Sequence, residues 1–266
     1  MAPIRVLVCG AAGRMGRTTV SALHAQDDII VVGAVDLADI GEDAGALAGV
    51  GDIGVPITAS LRDALAESRP DVMVDFTSPA AVMNNLRTAL PGGTACVVGT
   101  TGLTQEDLDE LEKLCGAHGT TVIVAPNFSL GANLMMHFAA TAAKYLDHAE
   151  IVELHHEGKK DAPSGTALLT AHMMAQAHGE AMSVIPTEHV KLDGTRGGDQ
   201  DGVRIHAVRL PGLLAHQVVI FGGLGETLTI RHDTIGRESF MPGLLLAVRK
   251  TREVRGLTYG LTSLLT

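Results

Sequence analysis

Apart from Arg5, Ile4 to Cys9 is an apolar stretch rich in β-branched residues, and it runs directly into Gly10-Ala11-Ala12-Gly13-Arg14-Met15-Gly16. No other segment restricts the fold as strongly. An apolar run of this kind suits a strand buried on both faces. Arg14 to Ala25 then reads as a helix, so the glycines fall between a strand and a helix start. Glycine allows a sharp turn and a close backbone approach. The free N–H groups of a helix start favour negative charge there. The arrangement predicts a pyrophosphate cradle, although the spacing is GxxGxxG rather than the usual GxGxxG. A purely structural turn is the competing reading. The candidate contacts are Gly10, Ala11, Ala12, Gly13, Arg14 and Met15. Asp36, at the end of the next apolar run (Ile29 to Val35), is placed to accept hydrogen bonds from a ribose and to repel a 2′-phosphate. An ordinary strand-end aspartate and a surface arginine are the plain readings of Asp36 and Arg14.

The pattern then repeats. Helical stretches at Leu61 to Ser68, Ala80 to Leu90 and Thr104 to His118 alternate with strand-like Val72 to Phe76, Ala95 to Val98 and Thr121 to Ala125. Thr104 followed by Asp107 is a capping signature. Residues 37–58 are Gly-rich and read as a loop. Alternating strands and helices imply a parallel sheet with right-handed crossovers, a doubly wound α/β domain of Rossmann type. Ligands of such sheets bind beyond the carboxyl ends of the strands. Gly99, Thr100 and Thr101, and Ala125, Pro126, Asn127 and Phe128, occupy such ends and become candidate cofactor contacts.

After Pro126 the character changes. Helices are expected at Leu134 to Tyr145 and Ser164 to His178, and a strand at Ala149 to His156. Strand-like Val203 to Val208, Gln217 to Phe221 and Thr227 to His232 read as an antiparallel meander. The polar stretch Asp193 to Gly202 reads as a mobile loop or a long hairpin connection. This predicts a second, α+β domain with a largely antiparallel sheet. Met241 to Val248 reads as a final helix returning to the first domain. The expected boundaries are therefore 1–126 with 237–266 returning to it, and 127–236.

Composition narrows the partners. Thirty acidic against 20 basic residues give a net charge of -10, which disfavours nucleic acid. An anionic small molecule would need a local basic pocket. No apolar run approaches the ~20 residues of a membrane helix, and Met1 to Gly10 lacks a signal-peptide pattern. Cys9, Cys96 and Cys115 are scattered, which fits a reducing cytoplasm. No cysteine or histidine spacing supports a metal site.

The densest polar segment is Glu153-Leu154-His155-His156-Glu157-Gly158-Lys159-Lys160-Asp161-Ala162-Pro163-Ser164-Gly165-Thr166. Adjacent histidines on a strand point to opposite faces, so they do not share a metal. A solvated histidine pair and a solvated charge run are the bland alternatives. Ser164, after a proline and before an apolar-periodic helix, reads as an N-cap. The first helical turn at Gly165 and Thr166 then suits a carboxylate, with Lys159 and Lys160 supplying positive charge.

Over its full length the chain resembles the bacterial 4-hydroxy-tetrahydrodipicolinate reductases. The resemblance rests on GAAGRMG, VDFTSP (Val74 to Pro79), VVGTTG (Val97 to Gly102), APNFSLGAN (Ala125 to Asn133) and HHEGKKDAPSGTA (His155 to Ala167). It implies a nicotinamide-binding first domain, a substrate-binding and oligomerisation second domain, and a homotetramer acting in lysine and diaminopimelate biosynthesis. It further implies Lys159 as proton donor, His155 in an acid/base role, and His156, Gly165 and Thr166 as contacts of a small cyclic dianionic substrate. Some members carry arginine after the acidic residue of the second strand. Leu37 stands there in this chain, which leans toward NADH, while NADPH or both cofactors remain open. Arg237 could meet a substrate carboxylate or the cofactor. The alternatives are another imine or amino-acid dehydrogenase on the same architecture, or a non-catalytic NAD-sensing regulator.

Overall fold

The computed structural model describes residues 2–265. The chain divides into two compact units, Met1–Phe128 with Arg237–Thr266, and Ser129–Gly236.

The first unit is wound around a seven-stranded sheet. Its strands are β1 (Ile4–Cys9), β2 (Ile29–Val35), β3 (Ile57–Thr58), β4 (Val72–Asp75), β5 (Ala95–Val98), β6 (Thr121–Val124) and, in the numbering of the whole chain, β12 (Gly256–Tyr259). Their spatial order is β12-β6-β5-β4-β1-β2-β3. Every neighbouring pair is parallel. The crossovers are α1 (Arg14–His24), α2 (Ala44–Ala48), α3 (Leu61–Ser68), α4 (Pro79–Ala89) and α5 (Gln105–His118). The order of winding reverses between β1 and β4, which makes the carboxyl ends of those strands a crevice. Leu7, Met73, Leu86, Cys96 and Leu111 are fully buried between sheet and helices. All three cysteines are buried and free. Thr104 caps α5 in a complete capping box with Asp107.

Two expectations need correction here. Residues 37–58 are not all loop. Asp43 caps α2 by accepting from Gly45 and Ala46, and the same carboxylate accepts from Ile53 and Val55. One aspartate thus organises a segment too short and glycine-rich to show a helical period. The chain also continues past the last expected helix, α8 (Met241–Lys250), into β12, which pairs with β6 at the sheet edge.

The second unit has a five-stranded sheet ordered β11-β10-β7-β9-β8. Its strands are β7 (His148–His155), β8 (Gly198–Gln200), β9 (Val203–Arg209), β10 (Ala215–Gly223) and β11 (Glu226–Thr234). Helices α6 (Leu130–Ala142) and α7 (Gly165–His178) cover one face. Met135, Met136 and Ala139 from α6 and Ala171 and Met174 from α7 pack on Ile151, Val219 and Phe221. The expected meander is interrupted, because β7 lies between β9 and β10 and runs parallel to β9. Only β10 and β11 form the expected hairpin. Asp193 to Gly202 is the hairpin alternative in part, since Gly198–Gln200 pairs back on β9. Ser129 caps α6, so that helix begins four residues before the expected Leu134.

Candidate active site

In the first unit the glycine loop is shaped by close backbone contacts. Gly10 adopts φ +79°, and a Cβ there would lie 2.3 Å from the Phe76 carbonyl oxygen. A Cβ on Gly16 would lie 2.0 Å from the Gly10 carbonyl oxygen, so only glycine lets α1 approach the loop this closely. Asp36 has partners within the chain itself. Its Oδ2 accepts from the Ala12 N–H at 2.9 Å, and its Oδ1 accepts from Leu37 and Ala38 at 2.7 and 3.1 Å. Arg17 braces the loop from the other side, donating to the Ala12 carbonyl at 2.7 Å while pairing with Asp39. Gly10, Gly13, Asp36, Thr77 and Ser78 line a cleft of about 420 Å³ beyond the ends of β1, β2 and β4. That size suits part of a dinucleotide. Arg14 and Met15 open α1, with Arg14 exposed.

The neighbouring strand ends are tied together by Asp75, which is wholly buried. Its carboxylate accepts from the Thr77 N–H and hydroxyl, the Thr100 hydroxyl and the Asn85 amide at 2.7 to 3.0 Å. Gly99 and Thr100 follow β5, and their N–H groups bond the Asp75 carbonyl. Thr101 is exposed beside them. Ala125, Pro126, Asn127 and Phe128 follow β6. The Phe128 ring meets Phe76 edge-on, with centroids 5.8 Å apart. These two segments share the sheet's carboxyl edge but do not line the 420 Å³ cleft.

In the second unit the chemistry gathers at the end of β7. His155 is the last strand residue, and His156 lies beyond it in the turn, exposed. Strand alternation therefore does not set the direction of His156. Glu153, two residues back on the same face as His155, is fully buried. Its carboxylate takes four donors: His155 Nδ1 at 2.5 Å, the Arg209 fork at 2.9 and 2.8 Å, and the Ser164 N–H at 3.2 Å. Burial pushes the Glu153 carboxyl upward, but the bonds from Arg209 and His155 outweigh it and hold it below its ordinary range. Burial dominates at His155 and lowers its pKa. Glu153 opposes that, while the charges of Lys159 and Arg209 reinforce it.

Lys159 is half-buried, and its Nζ pairs with Asp161 at 2.7 Å. That bond is the main reason the Asp161 carboxyl is lowered. Lys160 is exposed. Ser164 caps α7 as expected, accepting from the Ala167 N–H at 3.2 Å. Gly165 and Thr166 open the helix. Buried Gln217 donates to Thr170, which donates to the Thr166 carbonyl, so the sheet braces that first turn. Arg237 falls in the first unit, half-buried in a short 3-10 turn.

Sequence reasoning missed Asp75 and Arg209 as site-organising residues. VDFTSP contains Asp75 but gives no sign of its burial. Arg209 stands 56 positions from Glu153, and only the parallel pairing of β7 with β9 brings it opposite His155. Ser129 and His232 were missed as well. They bond at 3.0 Å, and burial lowers the His232 pKa.

Comparison with known proteins agrees with this geometry. Residues 4–128 match the family described as dihydrodipicolinate reductase, N-terminus, and residues 131–265 match its C-terminus. The chain belongs to the dihydrodipicolinate reductase family. It is 54% identical over 265 residues to the 4-hydroxy-tetrahydrodipicolinate reductase of Moorella thermoacetica, covering 100% of this chain and 99% of that one. A second such reductase, from Desulfitobacterium hafniense, is 49% identical over the whole of both chains. Among solved structures, a dipicolinate-bound dihydrodipicolinate reductase from Paenisporosarcina sp. TG-14 superposes with a TM-score of 0.87 at 39% identity. It covers 98% of this chain and 99% of its own. Dihydrodipicolinate reductases are oxidoreductases that use a pyridine nucleotide. The amino-acid dehydrogenase and NAD-sensor alternatives are not favoured by these relatives. No helix among the described residues is long and apolar enough to cross a membrane.

Proposed function

We propose that this chain reduces 4-hydroxy-tetrahydrodipicolinate to tetrahydrodipicolinate, in the cytoplasm, as a homotetramer with a preference for NADH. Loss of water from the substrate gives a conjugated imine. When bound, the reduced nicotinamide supplies the hydride that this imine accepts. The observation that carries the proposal is the catalytic segment of this reductase family. Here it runs from a strand end, through a lysine-bearing turn, into a capped helix start.

Within that segment Lys159 donates the proton that completes the reduction, and its charge also favours a dianionic substrate. His155 acts as acid or base beside it. His156, Gly165 and Thr166 hold a substrate carboxylate at the helix start, where the dipole and the N–H groups favour an anion. In the first unit Gly10, Ala11, Ala12, Gly13, Arg14 and Met15 cradle the cofactor pyrophosphate. Gly99, Thr100 and Thr101, with Ala125, Pro126, Asn127 and Phe128, contact its ribose and nicotinamide. Asp36 meets the adenine ribose. Its negative charge and the absence of a following arginine disfavour a 2′-phosphate, which is the reason for the NADH preference. The proposed division of labour assigns the cofactor to the first unit and the substrate and assembly to the second. The helix-free face of the second sheet, with Val152, Leu154, Val218 and Ile220, is the proposed tetramer contact.

The deciding experiment follows oxidation of NADH and of NADPH with enzymatically generated substrate. Substrate-dependent oxidation is expected, faster with NADH at low cofactor. Cofactor binding without any oxidation would overturn the activity, and much tighter binding of NADPH would overturn the preference.

A further inference from the structure

Glu153 is a fully buried carboxylate, set opposite buried Gln217 at the edge of an apolar core and next to the reacting segment. A buried charge is costly unless every lone pair is used and the charge is matched. Here both oxygens take two donors each. Oε1 accepts from Arg209 and the Ser164 N–H, and Oε2 accepts from Arg209 and His155. Arg209 also donates to the Asp161 carbonyl at 2.8 Å, which fixes the turn that carries Lys159. One ion pair therefore touches the histidine, the lysine-bearing turn and the cap of the anion-binding helix.

We propose that Glu153 is a positioning residue for His155, holding its ring with the proton on Nδ1 so that Nε2 is the reacting nitrogen. An ionised carboxylate can only accept. The ring nitrogen 2.5 Å from it must therefore be the donor. A neutral imidazole protonated at Nδ1 presents a lone pair at Nε2.

Arg209 has a separate part in this. A lone carboxylate beside a histidine stabilises the imidazolium and raises its pKa. The charged groups around His155 are Glu153 on its own strand, Arg209 on the parallel neighbour, and Lys159 in the following turn with Asp161 as its partner. Burial, reinforced by the two cations set against the buried carboxylate, leaves His155 oriented but not charged, in keeping with its lowered pKa. His155 then enters the reaction as a base at Nε2, taking the carbon-bound proton lost in the dehydration, and acts as an acid by passing that proton to the departing hydroxide.

The kinetic part of this inference rests on the reductase reading, whereas the tautomer does not. The test is imidazole nitrogen spectroscopy on the full-length protein, with steady-state kinetics on the same samples. The unsubstituted protein should show His155 protonated at Nδ1 and bare at Nε2. In Glu153→Gln, Arg209 claims the amide oxygen and the amide NH₂ faces the ring, so the proton should move to Nε2. The turnover number should fall about 10²-fold, within the range general acid–base catalysis supplies, while KM and NADH affinity change little. In a His155→Ala background the same substitution should cost little more. If Glu153→Gln does not fold, Glu153→Asp keeps the charge against Arg209 and draws the carboxylate away from the ring. It should give a mixed tautomer and an intermediate loss. A His155 proton that stays on Nδ1 in these variants overturns the proposal, as do losses that multiply fully with His155→Ala. If the unsubstituted protein oxidises no cofactor, the reductase reading fails, and the nitrogen spectra still decide the tautomer.

Discussion

Among the described residues two carboxylates are fully buried, one in each unit, and they are satisfied in opposite ways. Asp75 is met by neutral donors, namely two threonine hydroxyls, a threonine N–H and an asparagine amide. Glu153 is met chiefly by a guanidinium and an imidazole. Neutral donors make a clamp in which the carboxylate has no ionisable partner, and it ties together the strand-end loops proposed to meet a cofactor. A guanidinium and a titratable imidazole make a cluster whose members alter one another's protonation, which suits proton transfer. The contrast separates holding from reacting, and each side can be tested on its own.

The largest effect is expected in the second unit. Lys159→Ala should lower the turnover number by roughly 10²–10⁴-fold, the usual contribution of general acid catalysis. Folding and NADH affinity should be unchanged, because nothing in the first unit is altered. Lys160→Ala, at an exposed position, should be mild. Steady-state kinetics on both decides the matter, and the reverse ranking would remove Lys159 from the role of donor.

Asp75→Asn attacks the clamp. The new NH₂ would point at groups that themselves donate, leaving buried donors unmatched at a cost of about 1–3 kcal/mol. Thermal melts should register the loss, and cofactor affinity should fall with it. A loss that varied strongly with pH between 5 and 8 would break the comparison, since no donor to Asp75 titrates there.

A smaller effect is expected at the loop. Asp36→Ala should weaken NADH roughly tenfold, about the value of one charge-assisted hydrogen bond, and should weaken NADPH less. Because Asp36 also pins the Ala12 N–H, some loss with both cofactors is expected. Equal losses in fluorescence titrations would mean that Asp36 acts only on the loop.

The mildest effect is on stability against pH. The pKa values of His155 and His232 are lowered below the ordinary 6.5, in both cases chiefly by burial. The unfolded chain therefore binds protons more readily than the folded one. Stability is full above 6.5 and declines as pH falls from there through the folded values. Glu153 adds a second decline below its ordinary 4.5, because its folded pKa is also lowered. Denaturant titrations of His155→Ala should show a shallower slope as pH falls below 6.5. An unchanged slope would assign the pH dependence elsewhere.

The parallel sheet was legible because each buried strand is a short apolar run punctuated by helix signals, and Ile4 to Cys9 with its glycines shows that most plainly. The Thr104 and Ser164 caps were legible for the same local reason. The strand order of the second sheet was not. The sequence of β9 is compatible with pairing on either neighbour, and no local residue announces that β7 slips between β9 and β10. Residues 44–48 were hidden because a five-residue helix has no period to read, and the Asp43 bonds that hold it reach across the loop. At the site, the residues bunched in HHEGKKDAPSGTA could be found together. Arg209 could not, because its role exists only through strand register.

The strand β12 has a consequence for how the chain is made. It pairs with β6, yet residues 129–236 lie between them in sequence. At roughly 5–20 residues per second, a ribosome needs about 5–20 s to produce that insertion. Throughout that interval β6 is the border of an unfinished sheet, with its outer N–H and C=O groups unpaired, and such borders invite pairing with other nascent chains. Closing the gap late costs little entropy, since loop closure grows only logarithmically with length. The hazard is therefore one of timing rather than of stability. A message cut before the codon for Gly256 would yield a first unit with its border permanently open.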